Sequence, residues 1–422
     1  MGEKASLLNL FVNNHLEKKN IKRILNNNEN RKNITHYEPS DIEAFIERDP
    51  QIGSYIISGG LEKYRVRSAV AVVACSLSQD IPTIVLHEGN ELLQSDIELL
   101  TANYGNKDIL TNSSFAYDPF YNRSNQEICH LIANSTGRQI LIGALGQQYI
   151  LGMAEFIERK AKRPYIDMFL RCPYDTLIDR INYDQQSGKL TVQEATVIRN
   201  QLIQGQNEQP NVQSFFSQLT YQGAGVLARK NNRSSLINIR ETVNNHGLIM
   251  IDIGSSTNEI LLNLIMNEIK EVLAHGKKVM LVLDGININA NELLADIVKS
   301  LSSRCLITFL SDDAYSMLGS DDNLFHSFVG NACKCIVFSH SVGITCNKWS
   351  EVFGYYDEDK ISRTAGNSQN FQWGYGTGTT HTINVTSERS PVVKPEEIAR
   401  MPRNAVYILD RNLQELAYTT LR

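Results

Sequence analysis

Two short stretches carry residues that could do chemistry together. Asp284 closes the apolar run 277–285, KKVMLVLDG, and residues 59–66 read GGLEKYRV. A run this short and this rich in Val, Leu and Met reads as a strand buried on both faces of a parallel sheet. An aspartate at the carboxyl end of such a strand stands where open α/β sheets collect ligands, and there it can help hold the magnesium of a bound triphosphate. A glycine turn that opens a helix supplies the other half, because backbone N–H groups and the helix N-terminus attract phosphate. Gly59, Gly60, Lys63, Arg65 and Asp284 are therefore the candidate nucleotide-binding residues, with Asp284 the candidate magnesium ligand; no catalytic residue follows from the pattern.

The working phosphate loop, GxxxxGK[ST], needs its lysine for the β- and γ-phosphates and its hydroxyl for magnesium. Aligned on Gly59, the chain puts Tyr64 at the last glycine, Arg65 at the lysine and Val66 at the hydroxyl, while Glu62 brings a charge that repels phosphate. After Asp284, where a glutamate would align water, stands Gly285. Losing these ligands together should nearly abolish turnover, because phosphoryl-transfer catalysis is almost entirely electrostatic positioning.

Composition bounds the rest. A chain of 422 residues is long enough for roughly two domains, and a formal charge of −5 carries no overall basic bias toward nucleic acid, so a DNA-facing surface would have to be local. Seven scattered cysteines fit reduced thiols better than disulfides. Cys333 and Cys335 share a strand face, which allows a metal site with Cys305 or Cys346, but small buried hydrophobes are the commoner use. No stretch reaches the roughly 18 apolar residues needed to cross a bilayer, so a soluble chain is expected.

Around the candidate site the elements follow a βα order. GSYIISGG is a strand, residues 64–78 a helix rich in small and branched residues, and IPTIVLH the next strand. Residues 1–50, with the patch NNNENRKN, read as a polar arm of short helices and loops in which Ser40 to Glu43 cap one helix. Residues 141–240 read as an inserted all-helical domain, with basic clusters at Arg159, Lys160, Lys162 and Arg163 and at Lys230 and Arg233 that either meet phosphates or form a solvated face. The sheet resumes at HGLIMIDIG, whose following helix is expected to start on a Ser256–Glu259 capping box and end at His275-Gly276. RCLITFL and CKCIVFS add strands, residues 361–390 a surface hairpin with Phe371, Trp373 and Tyr375, and PVVKPEEIARMPRNAVYILD a short helix and a last strand. Domains are thus expected at 1–50, at 51–140 with 241–422, and at 141–240.

These residues resemble the coupling proteins of type IV secretion and conjugation, the VirD4/TraG/TraD group of FtsK-like P-loop ATPases. PTIVLHEGNELL is similar to the family's strand and acidic turn, with Glu91 and Leu92 matching and His87 in place of an aspartate. AYDPFYNRSNQEICHLI, GNACKCIVFSHSVGITCNKWSEVFG and above all SPVVKPEEIARMPRNAVYIL resemble later family segments, with Ser390 where an arginine belongs. Asp312 or Asp313 occupies the place of the family's γ-phosphate-sensing glutamine. The resemblance implies an α/β fold, a RecA-like P-loop NTPase parallel sheet with an inserted all-α domain. It implies ATP and magnesium as cofactors, conjugation or secretion machinery as partners, DNA or protein as substrate, and a homo- or hetero-oligomer, in the family a hexamer.

Three functions compete. The first is a degenerate ATPase, cytoplasmic and held to the inner face of the membrane through partners, that recruits substrate or assembles with secretion components. The second is an active DNA translocase in which Lys63 or Arg65 carries phosphate and Asp284 magnesium. The third is a mixed hexamer in which this chain lends Arg304 or another arginine to a competent neighbour's site, against which a surface or capping role for Arg304 is the commoner case.

Overall fold

The structure is a computed structural model that describes residues 2–48, 51–104, 115–138, 140–161, 163–171, 173–228, 235–300, 304–369 and 377–422. In chain order the strands are β1 (Ile34–His36), β2 (Tyr55–Ser58), β3 (Thr83–His87), β4 (Phe115–Tyr117), β5 (Ser235–Ile237) and β6 (Leu248–Asp252). They continue with β7 (Val279–Asp284), β8 (Cys305–Ser311), β9 (Lys334–Val337), β10 (Tyr355–Gln369), β11 (Thr377–Pro391), β12 (Ala405–Asp410) and β13 (Glu415–Thr420). Packing divides the chain into two units, residues 41–336 and residues 1–40 with 337–422.

Residues 41–336 are built on strands in the order β9, β2, β8, β7, β3, β6. The five from β2 to β6 are joined by parallel pairings. This is the α/β class with a mostly parallel sheet that the sequence predicts. Every residue of β2, β3, β7 and β8 is buried, as a parallel sheet covered on both faces requires. β8 lies between β2 and β7, so the glycine turn after β2 and Asp284 at the end of β7 flank the end of an intervening strand. Residues 144–222, between β4 and β5, hold helices and, among the described residues, no strand, whereas β5 at Ser235–Ile237 falls inside the stretch 141–240 expected to be all-helical. The core of these helices includes Phe169 stacked on Phe216 at 4.3 Å and Phe215 at a right angle to Phe216.

The second unit pairs β1 parallel to β13 and β13 antiparallel to β12, and carries a separate ribbon of β10 against β11. β13 is not expected from the sequence. The hairpin is longer than the expected 361–390, running over 355–391, and its Phe371, Trp373 and Tyr375 lie outside the described residues. The expected polar arm is corrected: residues 2–32 form one helix of 31 residues, Gly2–Lys32. Its asparagine patch is accommodated because Asn28 exchanges two hydrogen bonds with the backbone of Asp359, each 3.0 Å long.

Two expected caps are also corrected. The helix expected to start on a Ser256–Glu259 box begins instead at Glu259, after Asn258 and without a side-chain cap. Glu259 is thus the first helical residue rather than the third, and its carboxylate accepts from the backbone N–H of Arg138 at 3.1 Å. The short helix Glu43–Ile46 has Ile42 at its N-cap, and Asp41 and Glu43 pair with Arg67 instead. Gly276, by contrast, ends its helix at φ 81°, as expected.

Candidate functional site

The carboxyl ends of β2, β8, β7 and β3 surround a cleft of about 260 Å³ lined by Glu62, Arg65, Glu88, Gly89, Asn90, Asp284, Gly285, Ser311 and Asp312. The register brings His87 beside both Asp252 of β6 and Asp284 of β7. Asn90, three residues past His87, donates from Nδ2 to Asp284 Oδ2 at 2.6 Å and with its Oδ1 accepts from the N–H of Leu93 at 2.9 Å. Its own N–H donates to His87 Nδ1 at 3.0 Å, which puts the ring proton of a neutral imidazole on Nε2. Burial disfavours the imidazolium and lowers the pKa of His87, against the pull of Asp252.

Asp284 is buried, and desolvation raises its carboxyl above the usual range, with the Asn90 bond and the charge of Arg65 acting the other way. Glu88 accepts from the N–H of Ser256, and Asp252 from those of Gly89 and Gly254 at 3.0 and 2.8 Å. Asp312 faces the cleft, whereas Asp313 caps the helix Ala314–Met317 through the N–H of Ser316 at 3.1 Å.

The turn after β2 is short. Gly59 and Gly60 take φ 83° and 65°, and the helix Glu62–Ser78 starts after Leu61. Arg65 therefore already lies in the helix, and its Nη1 folds back onto the carbonyl oxygens of Gly59 at 3.1 Å and Gly60 at 2.8 Å. Val66, at the hydroxyl position, is 1% exposed and belongs to the core. Lys63 lies over the ring of Tyr64, its Nζ 4.8 Å from the centroid, and does not line the cleft.

The structure thus lines one cleft with Arg65 and Asp284, ties Gly59 and Gly60 to it only through the bonds of Arg65 to their carbonyls, and leaves Lys63 outside the lining. A magnesium triphosphate calls for a hydroxyl ligand, an available carboxylate and a surplus of positive charge. Here the hydroxyl is a buried valine, the carboxylate oxygen receives an amide, and Glu62, Glu88 and Asp312 outnumber Arg65. This donor set does not fit that group. Asn90 and Ser311 escape a reading of the sequence, because only the sheet register brings them beside Asp284.

The other candidates are placed elsewhere. Arg304 precedes β8 and so stands at the opposite end of the sheet from the cleft. Arg159 pairs with Glu194 at 2.9 Å, Lys160 with the buried Asp184, and Arg163 with Asp118 at 2.6 Å, so these cations serve internal ion pairs. Lys162, Lys230 and Arg233 lie outside the described residues. Among the described residues no group of three or more His, Cys, Asp or Glu side chains is arranged to hold a metal ion.

No family model and no curated protein matches the chain. Among solved structures it is similar to the bacterial conjugative coupling protein TrwB in an unbound form, with a TM-score of 0.47 and 12% identity over 87% of this chain and 84% of that one. TrwB in complex with the ATP analogue ADPNP gives 0.48 and 13% over 87% and 85%. TrwB with ADP and Mg2+ gives 0.38 and 13% over 82% and 86%. These are conjugative coupling proteins, the group the sequence resembles. At such identities and TM-scores the fold class rests on strand order and register rather than on the likeness.

Proposed function

We propose that this chain is a relative of the conjugative coupling proteins with a degenerate nucleotide centre, which recruits DNA or protein substrate or assembles with secretion components. The observation that carries the reading is the turn of Arg65 onto the carbonyls of Gly59 and Gly60. A cation at the lysine position that is engaged by its own loop is withdrawn from phosphate. In this reading the helices of residues 144–222 and the ribbon are the surfaces for substrate or partner proteins, and the chain works at the inner face of the membrane in an oligomer of its own kind or of mixed subunits.

Calorimetry of the purified chain with Mg-ATP and Mg-ADP, beside Arg65→Ala and Asp284→Ala, tests the proposal. The expected result is no binding at millimolar nucleotide in any of the three. Micromolar binding that both substitutions remove would overturn it in favour of the active translocase, with Arg65 on phosphate and Asp284 on magnesium.

A further inference from the structure

The ribbon of β10 and β11 has two edges, and the chain treats them differently. Gly354 accepts from the N–H of Val392 at 2.9 Å, and the register that follows sets Tyr356 opposite Ser390 and Asp359 opposite Ser387. In an antiparallel pair, residues that bond each other alternate with residues whose N–H and C=O both point away. Even-numbered residues of the ribbon thus bond across it, and odd-numbered ones point outward. Asp359 fits that phase, because its N–H and C=O are both taken by Asn28 of the helix Gly2–Lys32, and the C=O of Asp357 accepts from Arg31 at 3.0 Å. At these positions the helix seals the edge of β10.

On β11 the same phase turns the backbone of Val385, Ser387 and Arg389 outward. Residues 384–389 are exposed, and among the described residues nothing bonds to the outward N–H and C=O groups of these three. Native sheets guard such an edge with lysine, proline, a bulge or a short strand. β11 instead runs for 15 residues in unbroken register, holds no lysine, and has its one proline at its last position, Pro391.

We propose that the outer edge of β11 pairs with the same edge of a second copy of this chain, antiparallel about a two-fold axis, so that two ribbons become one four-stranded sheet. A row of unpaired N–H and C=O groups is matched by another extended backbone, and turning the row onto itself satisfies both copies at once. A two-stranded ribbon is marginal alone, and the added strands extend its ladder. β11 carries one acid and one base, Glu388 and Arg389, so two copies of it have no net repulsion. Full overlap, with Asn384 on the axis, sets Glu388 opposite Thr380 and Arg389 opposite Thr379 and opposes no like charges. The pairing specifies one contact of the oligomer proposed above, and it needs only the backbone of β11, whatever the state of the nucleotide cleft.

Sedimentation equilibrium of the full chain over a range of concentrations, with hydrogen exchange read at single amides, tests it. A dimer is expected in which the outward amides of Val385 and Ser387 exchange more slowly as concentration rises. Ser387→Pro removes an outward N–H and leaves the bonds within the ribbon in place. It should raise the dissociation constant roughly thirtyfold, because one lost bond counts twice across a two-fold axis. Val385→Lys, which keeps every backbone donor, should also weaken the dimer by bringing like charges together near the axis. The inward amides of Thr386 and Glu388 should stay protected in both variants, which shows that the ribbon persists. A chain that stays monomeric, a dimer whose outward amides stay unprotected or that survives both substitutions, or protection of those amides only when another protein is added would each overturn the proposal.

Discussion

Asn90 donates to Asp284 across two neighbouring strand ends while capping the helix Glu91–Tyr104 that follows it. One side chain thereby fixes the carboxylate and the start of a helix. Asn90→Ala should remove both bonds and destabilise the protein by about 1–3 kcal/mol. Because the amide stabilises the ionised carboxylate, the titration of Asp284 should also move to higher pH. Carboxylate NMR of the variant against the parent checks the direction, and a downward shift would contradict it.

Gly285 stands at φ 70°, with open space where a Cβ would be. Gly285→Glu, which restores an acid at the position expected to align water, should fit sterically yet cost about 1–2 kcal/mol of backbone strain. No ATP hydrolysis should follow, because Val66 and Arg65 are unchanged. A phosphate-release assay beside a thermal melt reads both outcomes.

Arg123 reaches Glu268 at 2.8 Å and Glu271 at 2.7 Å, and Tyr117 donates to Glu268 at 2.6 Å. The side chains of Arg123 and Glu268 are 1% and 0% exposed. Removing one partner strands a buried charge, so Arg123→Met should lower stability by about 3–5 kcal/mol, whereas Arg123→Met with Glu268→Leu should lose less. Urea midpoints of the two variants decide; equal losses would mean that packing, not charge, dominates there.

Glu127 closes a capping box with Ser124 and also pairs with Arg240 at 2.8 Å. The Ser124 N–H, together with Arg240, pulls its carboxyl down to about 2. A depressed acid contributes stability above its unfolded value and loses it as pH falls toward the folded one. Glu127→Ala should thus cost about 1 kcal/mol at neutral pH. Its difference from the parent should shrink between pH 4.5 and pH 2, where the parent's own carboxylate becomes protonated. Melts across that range test the window.

The place of Asp284 at the carboxyl end of β7 was legible because a short buried run reads as one strand of a parallel sheet and the acid closes that run. Asn90 was not, since its importance depends on the register that sets His87 beside Asp284. The Ser-x-x-Glu pattern shows the same dependence on context: Ser124 with Glu127 forms a box, while Ser256 with Glu259 does not, because Ser256 and Thr257 form a turn closed by the Asn258 N–H on the Ser255 carbonyl and the helix starts only after it. β13, ELAYTT, is short and half polar, and its burial comes from pairing with β12 and β1 rather than from its own composition. Arg65 reads as a phosphate ligand because charge and position are visible in a sequence, whereas competition from nearby carbonyls is not.

The mutual hydrogen bonds of Asn28 and Asp359 join residues 331 positions apart. During synthesis, the first forty residues leave the ribosome long before any strand or helix they pack against exists. Residues 41–336 can assemble meanwhile, so the unit built from both ends of the chain is the last to form. Until then its N-terminal helix has only itself, the solvent and whatever surface lies nearby.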